Sequence, residues 1–131
     1  MRSKSIIKQK SVAFALRIIK AFRFLKEQKG EYVMSKQLLR SGTAIGALIR
    51  EAEFAESKKD FIHKLHISLK EANETDYWLT LLHESDYIND IAFQSIQADC
   101  TELIKLLTSI IKSSKCNPNA STIINYSLLI E

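Results

Sequence analysis

The residues best able to do chemistry are few, and their spacing decides what they can do. Asp60, His63 and His66 follow one another at single-turn intervals, so on a helix they share a stripe. Imidazole and carboxylate ligands suit a transition metal. A di-iron bundle site, however, needs two Glu-x-x-His pairs with two further glutamates, and no Glu in this chain has a His three positions on. Phe61, Ile62 and Leu65 interleave the three polar residues and define the buried side, so the stripe reads as solvated and no metal or other cofactor is expected. His83 stands alone. Glu71 and Glu74, one turn apart, make a carboxylate pair among Lys70, Asn73 and Asp76, which reads as a solvated or interface face. Cys100 and Cys116 lack a CxxC spacing or a nearby His and read as free thiols of a reducing cytoplasm. No nucleophile comes with a local base and acid, so no catalysis is expected.

Two other constellations carry more. Gly42 and Gly46 sit four residues apart inside a strongly helical pattern, where each costs about 1 kcal/mol relative to Ala. Their missing side chains admit another backbone, either inside the bundle or at a contact between subunits. The second constellation is basic. The 131 residues have a net charge of +4, yet residues 1–50 hold 12 Lys+Arg against only Glu27 and Glu31, a balance of +10, and the remainder carries −6. Lys10, Arg17, Lys20 and Arg23, with Lys36, Arg40 and Arg50, form a ridge able to neutralise phosphates if their two helices are neighbours. Tyr32 and Phe24 offer faces on which bases could stack. An antiparallel bundle that pairs a basic helix with an acidic one accounts equally well for the split.

The elements that position these residues must be helical. Three Gly and one Pro cannot supply the turns of an all-β fold or a glycine-rich phosphate loop. Periodicity places helices over about 10–28, 35–56, 58–86 and 90–113. The inward stripes are Val12, Ala15, Leu16, Ile19, Phe22 and Leu25; Leu38, Leu39, Ile45, Leu48, Ile49 and Ala52; Phe61, Ile62, Leu65, Leu69, Ala72, Trp78, Leu79 and Leu82; and Ile91, Ile96, Cys100, Leu103, Leu107, Ile110 and Ile111. Gly30 ends the first helix, Ser35 is a plausible N-cap for the second, and the third begins near Ser57 or Lys58. The junction at 56–60 leaves open whether helices two and three run on through a kink. Short links at 29–34 and 86–90 require antiparallel neighbours, hence an all-α, up-and-down four-helix bundle over residues 1–115. The segment 116–131 breaks at Asn117-Pro118 and continues as an apolar tail that needs a partner surface. No run approaches the ~18 apolar residues of a membrane helix, and the N-terminus lacks a signal-peptide core; a cytoplasmic protein with no membrane partner is expected.

The blocks from Ser35 to Gly46 (SKQLLRSGTAIG) with Arg50-Glu51-Ala52, from Ala55 to Leu65 and from Leu69 to Leu79 resemble the small bacterial four helix bundle protein family, which includes proteins encoded in intervening sequences of large-subunit ribosomal RNA genes. The resemblance covers about Phe14 to Lys115, and Leu48 departs from the Asn common in the family. It implies a bundle that assembles into a ring, typically a homopentamer with a central channel. The family is similar to the basic accessory proteins of diversity-generating retroelements, which bind nucleic acid and a reverse transcriptase. It also implies that Arg40, Gly42, Gly46, Glu51, Lys58, Asp60, Lys64, Glu71 and Glu74 fall in matched blocks, where interdigitated charges suit a subunit interface. Two functions follow as expectations: an oligomer that binds RNA or DNA through its basic half, or an adaptor oligomer whose charges serve subunit contacts and an unknown protein partner.

Overall fold

The computed structural model describes residues 5–116. The tail discussed above thus lies almost entirely outside the described residues. Four helices follow in order, α1 (Ile6–Lys29), α2 (Met34–Glu53), α3 (Lys58–Glu84) and α4 (Asp90–Lys115). Each packs on its sequence neighbours and α1 closes against α4, while the diagonal pairs make no close contact, which is the arrangement of an antiparallel four-helix bundle.

Side chains set the helix starts. Ser57 Oγ accepts from Asp60 N at 3.1 Å, and Asn89 Oδ1 accepts from Ala92 N at 2.8 Å. Gly30 closes α1 in the left-handed region, φ 65°. Ser35 does not cap α2. The carboxylate of Glu31 reaches over the first turn and accepts from the N–H groups of Met34 (3.1 Å) and Ser35 (2.9 Å), and the Ser35 hydroxyl donates back to the Glu31 carbonyl at 2.8 Å. A negative charge at a helix N-terminus is favourable in its own right. At the other end α2 stops at Glu53, and a turn through 54–57 separates it from α3 instead of a continuous kinked helix.

The core is built from Phe14, Ile18 and Leu25 of α1, Leu38, Ile45 and Ile49 of α2, Phe61, Leu65, Leu79 and Leu82 of α3, and Leu103 and Leu107 of α4. Small hydroxyls thread between them. Ser68 Oγ donates to the Ile45 carbonyl (2.9 Å), and the Thr75 hydroxyl hydrogen-bonds Ser41 Oγ (2.9 Å), tying α3 to α2. Every buried side-chain polar atom among the described residues has a partner, as burial requires.

The inward face of α1 differs from the expected one. The buried stripe is Ile7, Ser11, Phe14, Ile18 and Leu25, whereas Val12 is 46% and Leu16 56% exposed. α1 is apolar on two adjoining stripes, so its periodicity cannot choose between them. The choice falls to α2. A Cβ on Gly42 would stand 2.8 Å from Ile18 Cγ1, and one on Gly46 would stand 3.0 Å from Ser11 Oγ, so the two glycines receive Ile18 and Ser11 and set the rotation of α1. This close approach lies within one chain. Ile91, also expected inside, is 82% exposed; Ile88 in the preceding turn takes the buried place.

Candidate nucleic-acid interface

The basic residues divide into two groups according to what faces them. In the first, cations are met by acids across the seams of the bundle. Lys8 bridges to Glu53 (2.7 Å), joining α1 to α2. Lys10 meets Glu102 (3.0 Å) and Arg17 meets Asp99 (2.7 Å), both joining α1 to α4, and Arg17 also donates to the Ser95 carbonyl (3.2 Å) and hydroxyl (3.0 Å). Arg40 on α2 spans Glu71 (3.4 Å) and Glu74 on α3, and Lys64 meets Glu51 (3.2 Å) on the same seam. Residues far apart in sequence meet because antiparallel packing brings the basic half beside the acidic half. Lys10, Arg17 and Arg40 therefore have carboxylate partners within their own chain, as do Glu51, Lys64, Glu71 and Glu74. Asp60, the remaining acid of the expected interface set, accepts from the Glu56 N–H (3.3 Å) and shapes the turn into α3.

The Arg40 cluster carries the clearest electrostatics. Trp78 Nε1 donates to Glu74 Oε2 at 3.0 Å. That hydrogen bond first, and Arg40 second, hold the Glu74 carboxyl below the usual range. The bond to Glu74 raises Arg40 in turn. Such exposed pairs orient side chains more than they stabilise the fold.

In the second group, Lys20, Arg23, Lys36 and Arg50 are exposed and make no ion pair among the described residues. Lys36 and Arg50 belong to a three- and four-residue progression along the outer face of α2, Lys36, Arg40, Thr43, Ala47, Arg50 and Phe54. Lys20 and Arg23 lie on the outer side of α1 with Val12 and Leu16. Ile18 against Gly42 and Lys8 against Glu53 fix the antiparallel register, which brings Arg23 level with Lys36. Arg50 stands about 21 Å further along α2 at 1.5 Å per residue. Little negative charge balances this surface. Glu51 and Glu53 are engaged by Lys64 and Lys8, and Glu31 is folded over the start of α2, which leaves Glu27. Of the exposed aromatic faces, Phe24 is overlain by Lys29 at 5.8 Å, whereas Tyr32 and Phe54, at the two ends of α2, have no ring or cation partner among the described residues. The sequence pattern assigns Phe54 no role of its own; its place one turn after Arg50 is the available signal.

The remaining polar groups do not assemble. His63 and His66 lie on the exposed side of α3, and among the described residues no three or more His, Cys, Asp or Glu side chains converge as metal ligands would. His83 Nε2 is 2.7 Å from Asp90 Oδ1 and its ring stacks on Phe93, so it ties α3 to the start of α4. Cys100 is buried, with its thiol directed to the Ala72 carbonyl at 3.3 Å; burial, with Asp76 assisting, pushes it up to about 12. No helix among the described residues is long and apolar enough to cross a membrane.

Comparison with known proteins adds two results. The family model described as 23S rRNA-intervening sequence protein matches residues 3–109. A solved structure from Bacteroides thetaiotaomicron VPI-5482, described as a protein of unknown function from the S23 ribosomal protein family, is 58% identical with a TM-score of 0.81. The match covers 82% of this chain and 99% of that one. No curated protein matches the chain.

Proposed function

Because the chain belongs to the 23S rRNA-intervening sequence protein family, we propose that it is a non-enzymatic, ring-forming bundle that binds RNA through the unpaired cations of α1 and α2. One observation carries the reading. Lys10, Arg17 and Arg40 have acids against them, while Lys20, Arg23, Lys36 and Arg50 remain exposed on two adjacent helices whose own carboxylates are largely engaged elsewhere. Positive charge left unneutralised by the protein attracts a polyanion and releases its counterions on binding. The choice of RNA rests on the family's name, and a DNA duplex is the comparison. Fluorescence anisotropy with labelled mixed-sequence RNA across a salt series tests it. Affinity that falls as salt rises, with RNA preferred over DNA, is expected. No binding at low salt, or binding indifferent to salt, overturns the proposal.

The exposed apolar pair Val12 and Leu16 favours assembly through α1, and the resemblance makes a pentamer the expected ring. Light scattering on the eluting protein then gives a mass about five times the 15.0 kDa chain; a monomer mass contradicts the ring. The same pair supports a second reading, an adaptor that docks a protein partner, in which α1 is covered by another polypeptide and nucleic acid does not bind.

A further inference from the structure

Phe54 closes α2 with 77% of its surface open to water, more than any other aromatic side chain among the described residues. It lines a shallow hollow of about 550 Å³ at the α2–α3 turn, together with Ala47 and Arg50 of α2, Glu56 of the turn and Lys64 of α3. The charges around the hollow are not equivalent. Lys64 is held by Glu51 at 3.2 Å, whereas Arg50 has no carboxylate partner among the described residues. An unpaired cation and an unpaired aromatic face therefore stand one helical turn apart, about 6 Å along the axis at 1.5 Å per residue.

Building on the RNA reading above, we propose that this hollow receives one unpaired RNA base, stacked on Phe54 with its phosphate at Arg50, so that the protein selects single-stranded over duplex RNA. Three observations select this occupant. The first is spacing: a base and its own phosphate are separated by one sugar, which matches a ring and a guanidinium one turn apart. The second is polarity. Glu56 on the rim repels a phosphate but can accept a hydrogen bond from the amino edge of a base, so the backbone is turned towards Arg50 and the base towards Phe54. The third is continuity: Lys36 and Arg50 share the outer face of α2, so a strand that ends on Phe54 has already met cations on the way. Selection against a duplex follows from its form. Paired bases are stacked inside an A-form helix, and only an unpaired base can be splayed out onto an aromatic side chain.

Fluorescence anisotropy with the full chain tests the assignment, using a labelled RNA of A and C only and the same strand annealed to its complement. At equal salt the single strand is expected to bind more tightly. Phe54→Ala is expected to weaken single-strand binding about ten-fold and duplex binding less than about two-fold, because stacking is lost with one form alone. Phe54→Tyr is expected to bind as wild type does and Phe54→Leu as the alanine variant does, since a ring is required and apolar bulk is not. The slope of log affinity against log salt is expected to stay within about 0.5 of wild type in all three, because stacking releases no counterions. Salt-dependent RNA binding that is indifferent to Phe54, or weakened equally for both forms, overturns this assignment and leaves the cationic surface standing. No binding of either form at low salt overturns both. A Phe54→Ala chain with a smaller assembly mass by light scattering also overturns it, since the ring then serves a subunit contact. In the unsubstituted chain, photocrosslinking to a strand carrying one bromouridine is expected at Phe54, and crosslinks confined to other residues contradict the placement.

Discussion

Gly42 on α2 leaves room for Ile18 on α1: a Cβ at position 42 would lie 2.8 Å from Ile18 Cγ1 and 2.9 Å from Cγ2. Ile18 is fully buried and branched at Cβ, so it has no free rotamer to retreat into. Gly42→Ala gains helix propensity worth up to about 1 kcal/mol but overpacks the α1–α2 contact at a cost of about 1–3 kcal/mol. Chemical denaturation should therefore show Gly42→Ala less stable than wild type, and adding Gly42→Ala to an Ile18→Ala background, itself destabilised by about 2–5 kcal/mol because Ile18 is buried, should cost less than adding it to wild type.

Gly46 presents the same pattern with the opposite consequence. Its added Cβ would meet Ser11 Oγ at 3.0 Å and Ser11 Cβ at 3.3 Å, and the hydroxyl can turn aside. Gly46→Ala should leave stability within about 1 kcal/mol of wild type or raise it, because the propensity gain of about 1 kcal/mol offsets the small adjustment. A loss as large as that of Gly42→Ala would contradict the assigned rotation of α1.

These two glycines also mark the boundary of what was legible in the sequence. The scarcity of glycine and proline dictated helices, and Gly30 and Ser57 ended and started them where their chemistry required. The orientation of α1 was not legible, because Val12, Leu16 and Ile19 keep the helical period as well as Phe14 and Ile18 do. Only the partner surface on α2 breaks the tie. Ser35 looked like a cap because serine favours that position, but the longer Glu31 side chain spans the first turn and takes the role. The core hydroxyls of Ser41, Ser68 and Thr75 escaped the apolar pattern altogether, since a polar residue is buried only where a partner awaits it. The candidate interface was half legible. Twelve cations were plain to count, but which of them face acids depends on pairings such as Lys10 with Glu102, which exist only after α1 and α4 come together.

The Glu74 carboxyl titrates below its ordinary value in the folded chain, because Trp78 and Arg40 bind its charged form. A depressed folded value contributes stability above the unfolded pKa of about 4.3 and loses it as pH falls through the folded value. Glu74→Gln should therefore lower the thermal midpoint at neutral pH, and the difference from wild type should shrink as the solution is acidified below about pH 4. A difference constant with pH would mean that the Glu74 contact contributes no charge-dependent stability.

Cys100 and Cys116 differ in the property that governs alkylation, the accessible thiolate. Cys100 is buried with its thiol pushed up to about 12, whereas Cys116 is exposed. Iodoacetamide near pH 8 should add one label per native chain, at Cys116, and two after denaturation, read by intact mass. Rapid native labelling of Cys100 would contradict its place between α3 and α4.

The division of the cations is the central claim, and the salt dependence of RNA binding tests it most directly. Replacing Lys20, Arg23, Lys36 and Arg50 by Gln should weaken RNA binding and reduce the slope of log affinity against log salt by about 3, since each phosphate contact contributes about 0.7–0.9. Replacing Lys10 and Arg40, which face Glu102 and the Glu71–Glu74 pair, should leave the slope within about 0.5 of wild type. Equal loss of slope in both sets, or none in the first, would contradict the account.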